Sequence, residues 1–110
     1  MKNFNFEMFG KTYTGHFTLG KYCDMANLYI GLELENGDYW DDVSVNLGVP
    51  VAEDCIAIRC YNDGEYYIKL FKELGIFIEE LSRLQNGFAS FKIIRLDLDK
   101  LKEYGVNLNE

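Results

Sequence analysis

The chain is poor in the residues that catalysis and metal binding lean on. Its 110 residues include one His, one Pro, one Trp and three Cys. A single His leaves general acid–base chemistry to carboxylates and tyrosines. Zinc needs four ligands, and only Cys23, Cys55, Cys60 and His16 are on offer, at unrelated spacings. Cys55 and Cys60 are five apart in one apolar segment, so on a strand they point to opposite faces. Cysteine catalysis needs His16 as its base, yet His16 sits in an alternating segment and reads as an outward strand residue. No glycine-rich phosphate loop, Gly-x-Gly-x-x-Gly, His-Glu-x-x-His, Gly-x-Ser-x-Gly or Cys-x-x-Cys occurs. We therefore expect no catalytic residue, no metal and no cofactor.

Long apolar runs are missing too. The longest is Cys55 to Ile58, far short of the ~18 residues that span a bilayer. The start alternates polar and apolar residues and lacks a continuous signal-peptide core, so we expect a cytoplasmic protein with reduced thiols and no membrane contact.

What is abundant is apolar and acidic. Hydrophobic residues make up 48% and aromatics 15%, which excludes disorder. The length suits one domain, 1–110. The formal net charge is −7, and its excess lies in one segment. Between Lys21 and Arg59 no basic residue occurs, while Asp24, Glu33, Glu35, Asp38, Asp41, Asp42, Glu53 and Asp54 do. Direct nucleic-acid binding is disfavoured, because the basic residues elsewhere are interleaved with acids.

Periodicity predicts an α+β domain with a mostly antiparallel sheet of about five to six strands, packed by one main helix at 62–74. A second short helix near the C-terminus, at 99–104, ends at Gly105. Phe4, Phe6 and Met8 alternate with polar residues, Gly10-Lys11 reads as a turn, and Tyr13, Phe17 and Leu19 continue the hairpin, with Gly15 as a bulge. Leu28, Ile30, Leu32 and Leu34 form the clearest strand. The following Asn36-Gly37 predicts a two-residue type I′ turn. That register sets Ile30 against Val43, Leu28 against Val45, and Leu32 against Asp41. A carboxylate on the core face is costly unless paired, so a bulge near Trp40–Asp42 is expected, with Trp40 turned inward. Cys55–Cys60 reads as a buried strand. Asn62 and Glu65 predict a capping box, and Tyr67, Leu70, Phe71 and Leu74 form one helical stripe. The periods of 76–84 fit a strand or a helix. Asn86-Gly87 marks a turn before a strand from Phe88 to Leu98.

These landmarks occur in one order: the Tyr22–Leu34 strand, Asn36-Gly37, Val43-Ser44-Val45-Asn46-Leu47, Tyr61-Asn62-Asp63-Gly64-Glu65, Leu74-Gly75-Ile76 and Asn86-Gly87-Phe88. Over residues 20–98 they resemble domain of unknown function 4313, a family of conjugative transposons and plasmids of gut bacteria. The resemblance implies an α+β fold and a mobile-element setting, and carries over no activity, substrate or catalytic residue. Ser44 stands where the family motif has Thr. Asn46 reads as a strand-end residue that bonds backbone across the next loop.

The expected function is that of a small acidic accessory protein acting by protein–protein contact without catalysis. Tyr29, Asp38, Tyr39, Trp40, Asp41 and Asp42 form the expected partner patch, offered to a basic, DNA-handling protein. Acidic DNA mimicry against a host restriction or defence nuclease is one alternative. A small-molecule or single-strand nucleic-acid binding module on an aromatic sheet face is another. Edge strands near 4–19 could pair two copies into a homodimer.

Overall fold

The computed structural model describes residues 1–23, 27–61 and 63–108. The α+β class is as expected, but among the described residues the strands number eight and form two sheets. β1 (Phe4–Met8), β2 (Lys11–Lys21), β3 (Leu28–Leu34) and β4 (Tyr39–Asp42) run in that order in an antiparallel sheet. β5 (Cys55–Arg59), β6 (Phe77–Asn86) and β7 (Ala89–Leu96) form the second, ordered β5-β7-β6. α1 (Gly64–Glu73) carries the chain from β5 across to β6. α2 (Leu98–Glu103) leads into β8 (Gly105–Asn107), which pairs parallel to Phe17–Leu19 of β2. The pattern gave no sign of β8, because three residues are too few to show a period.

The core lies between the first sheet, α1 and the inner face of the second. Phe4, Phe6 and Met8 alternate inward, as do Phe17 and Leu19, and Phe17 meets Phe71 of α1 with ring centroids 5.3 Å apart. Ile56 and Ile58 face this core, while Cys55 and Ala57 pack on the other side with Ile93 under Val45, Leu47 and Val51. Burial on both faces is why β5 reads as a continuous apolar run. β2 is paired on both sides and Gly15 stays in register in both ladders, so neither the Gly15 bulge nor an exposed β2 edge occurs.

Several turns differ from expectation. The first hairpin turns at Phe9-Gly10, with φ of 55° and 75°, the two left-handed positions of a type I′ turn. At Asn36-Gly37 only Gly37 is left-handed. The Gly37 N–H donates to Leu34 O (2.9 Å) and the Leu34 N–H to Asp38 O (2.8 Å), which makes a three-residue loop. The extra loop residue slips the register by one, pairing Glu33 with Tyr39. The irregularity at Trp40 takes the slip back, so Leu32 still faces Asp41. The expected bulge near Trp40–Asp42 is there, but it offsets the longer turn and so keeps the Leu32–Asp41 pairing it was expected to remove. Leu28 does not meet Val45, however. The chain leaves β3 after Ser44, and Val45 bridges Ala57, where the two sheets join.

Asn62 lies outside the described residues. Asp63 takes the N-cap of α1 without a side-chain cap bond, and Glu65 turns to Lys92 instead of back to the cap. Residues 77–86 are strand, where helix and strand were both open. The last hairpin turns at Gly87-Phe88, so Phe88 is not in β7, and Leu98 opens α2.

Candidate functional site

The outer face of the first sheet gathers three tyrosines round one carboxylate. Tyr29 lies across Gly31, where a Cβ would collide with its phenol oxygen and come within 2.6 Å of Thr18 Oγ1. The bare backbone lets the ring reach Asp42, directly opposite Gly31, and its hydroxyl donates to Asp42 Oδ1 at 2.7 Å. Tyr22 stands edge-on to Tyr29 at 5.5 Å and hydrogen-bonds Ser44 Oγ at 2.9 Å. Ser44 Oγ also accepts from the Ile30 N–H at 2.9 Å, which pins the exit from β4 to β3. Tyr39 is 66% exposed beside them. Burial, then the Asp42 carboxylate, pushes the Tyr29 and Tyr39 phenols above their usual range, and burial does the same for Tyr22. Such phenols stay protonated at neutral pH. They donate hydrogen bonds and do not act as bases.

Of the six patch residues, the fold brings Tyr29, Asp38, Tyr39 and Asp42 to the outside and turns two inward. Trp40 packs against Tyr13 and Phe6, with centroids at 4.6 and 5.4 Å, so it is a core-side residue and no contact aromatic. Asp41 Oδ2 accepts from the Tyr67 hydroxyl and from Arg59 Nη2, each at 2.6 Å. Arg59 also donates from Nη1 to the Asp42 carbonyl at 3.0 Å, with its guanidinium 5.6 Å from the Tyr67 ring. The inward carboxylate is therefore paired and locks β4, β5 and α1 together. Sequence reading missed Arg59, Tyr67 and Tyr22. The signal for Arg59 was present: it is the first cation after Lys21, placed where the buried run of β5 ends.

Ion pairing divides the acids. Glu65 and Glu80 flank Lys92 at 2.6 and 3.4 Å, Asp54 and Glu79 flank Arg95 at 3.2 and 2.9 Å, and Glu103 takes Lys2 at 2.7 Å. Among the described residues, Glu35, Asp38 and Asp42 make no ion pair with Lys or Arg, and Glu33 meets only His16, at 3.2 Å. Asp38 is held by its own loop: its N–H donates to Asn36 Oδ1 at 2.9 Å, and its carboxylate accepts from Asn36 Nδ2 at 3.2 Å. Among the described residues Glu7, Glu53, Asp63, Glu73, Asp97 and Asp99 make no ion pair either, so the hairpin holds a share of the unpaired charge, and it sets that share beside Tyr29 and Tyr39.

The remaining candidates stay apart. His16 points away from the core as predicted but is buried, with Nδ1 lacking a hydrogen-bond partner among the described residues. Cys55 is buried behind β5 and Cys60 follows the end of that strand. Among the described residues no three His, Cys, Asp or Glu side chains could hold a metal ion, and no helix is long and apolar enough to cross a membrane. Asn46 Oδ1 accepts from the Gly48 N–H at 3.2 Å, the strand-end role expected of it. A groove of about 720 Å³ runs between Leu19, Leu28, Val51, Leu98, Leu101 and Asn107, and among the described residues no aromatic lines it.

No family model, no curated protein and no solved structure matches the chain.

Proposed function

We propose that this protein is a non-catalytic accessory factor of a mobile element that binds a basic, DNA-handling protein partner through the outer face of its β3–β4 hairpin. One observation carries the reading: among the described residues Asp38 and Asp42, with Glu35 close by in the chain, have no Lys or Arg partner, while an exposed Tyr39 and a carboxylate-bound Tyr29 stand beside them. Tyrosine with unpaired carboxylates suits Arg and Lys side chains, by charge and by cation–π contact. The tyrosines are prepositioned, which lowers the ordering cost of binding. Acidic DNA mimicry is the weaker reading, since the acids round Lys92 and Arg95 are neutralised by ion pairs. Base stacking is weaker still, because Phe4, Phe6, Phe17 and Phe71 are spent in the core.

The test is capture from lysate of the producing cell, with wild type and an Asp38→Asn, Tyr39→Ser, Asp42→Asn variant side by side. We expect a basic protein bound by wild type at low salt, lost at high salt because exposed charge contacts are screened, and absent from the variant. Equal capture by both baits, or by neither, would overturn the proposal.

A further inference from the structure

The molecule leaves one long sheet edge open. Exposed strand edges invite pairing with another chain, and folds commonly cover them. Other elements meet the edges of β1, β4 and β5. The Glu7 N–H of β1 donates to the Tyr66 hydroxyl of α1 at 2.8 Å. Arg59 takes the Asp42 carbonyl of β4, and Val45 bridges the outer side of β5. β6 is the exception. It runs ten residues at the edge of the second sheet, and among the described residues no strand pairs with its outer side.

Among its exposed polar residues Glu79, Glu80, Ser82, Arg83 and Gln85 it also exposes three large apolar side chains. Ile78 is 51% exposed, Leu81 43% and Leu84 40%. Ile78 and Leu81 are also the two residues within β6 that the register irregularities leave without a partner in β7. Laid antiparallel on a copy of itself about Leu81, the segment is self-complementary. Ile78 falls opposite Leu84, Leu81 opposite Leu81 of the copy, and Glu79 opposite Arg83. Arg83 makes no ion pair within its own chain among the described residues, and in the dimer it would share Glu79 of the copy with that copy's Arg95.

We propose that two copies of this chain join β6 to β6, antiparallel about Leu81, into a symmetric dimer with one continuous sheet of six strands. An antiparallel strand pair about a twofold axis places one patch on both subunits, as a closed dimer requires. The surface lies on the second sheet, apart from the β3–β4 hairpin, and the proposal stands whether or not that hairpin binds a partner.

Sedimentation equilibrium over a concentration series tests it, on wild type, Leu81→Arg and Arg83→Glu, with circular dichroism to check folding. Leu81→Arg sets two cations opposite each other and Arg83→Glu sets acids against Glu79, and like charges directly opposite repel. We expect a wild-type dimer that persists at high salt, because backbone and apolar contacts hold it. Each variant should raise the dissociation constant at least about tenfold, roughly 1.4 kcal/mol. A monomeric wild type would overturn the proposal, as would folded variants that dimerise like wild type. Arg83→Glu supplies the answer should Leu81→Arg fail to fold. Salt separates this contact from the hairpin's, which is lost as salt rises.

Discussion

Asp41→Ala removes the acceptor shared by Tyr67 and Arg59. The Tyr67 side chain is wholly buried, so its hydroxyl is left without a partner, at about 1–3 kcal/mol. The Arg59 side chain is 13% exposed and loses its carboxylate. Breaking a fully buried pair costs about 3–5 kcal/mol, but Asp41 is 31% exposed, and screening by water brings this part to about 1 kcal/mol. The total is about 2–4 kcal/mol. At about 4 °C per kcal/mol for a domain of this size, the melting midpoint drops roughly 8–16 °C. Asp41→Asn keeps an acceptor for Tyr67 and should cost about 1 kcal/mol. Tyr67→Phe leaves Asp41 with Arg59 and should cost about the same. The double variant Asp41→Ala, Tyr67→Phe should then be milder than the sum of its parts by about 1 kcal/mol or more. Urea titration of all four variants gives each number. Additive costs, or an Asp41→Ala protein within about 0.5 kcal/mol of wild type, would refute the claim that this carboxylate joins β4, β5 and α1.

Three further predictions concern backbone and pH. Phe9 holds φ at 55° while 84% exposed, so Phe9→Asn gives up little packing and should raise stability by about 1 kcal/mol in thermal melts. Gly64 is buried against the Arg59 carbonyl, which a Cβ would overlap. Gly64→Ala should therefore cost about 2–3 kcal/mol in urea titration and disturb Arg59 with it. Burial, then the Asp41 carboxylate, holds the Tyr67 phenol protonated far above its ordinary pKa of 10.0. The unfolded chain releases that proton near pH 10 and the folded one keeps it, so this contribution is complete below pH 10 and declines as pH rises. Tyr67→Phe should flatten the fall in stability above pH 10, measured by denaturant titration at a series of alkaline pH values.

How legible the fold was depended on whether period or chemistry decided a feature. β3 and the α1 stripe came straight from spacing, because each has one buried face. The Leu32–Asp41 conflict was also legible, and the inward Trp40 followed from it. The remedy for Asp41 was not: it comes from Arg59 and Tyr67, 18 and 26 residues further along. No local pattern reports such a contact. Turn chemistry misled at the first two hairpins. Asn36-Gly37 is the stronger type I′ signal, yet that turn falls at Phe9-Gly10, where the flanking strands force it. The Tyr29–Asp42 contact was hidden for a different reason, since it needs an empty space over Gly31 that only the β3–β4 register creates. β6 stayed undecided because its two irregularities break the alternation that marks a strand.

The most direct test of the account is amide hydrogen exchange on the complex captured from lysate, compared with the free protein. Added protection is expected on the β3–β4 hairpin, from Glu35 to Asp42, and none over β1. Protection confined to any other surface, or no captured protein to compare, would contradict it.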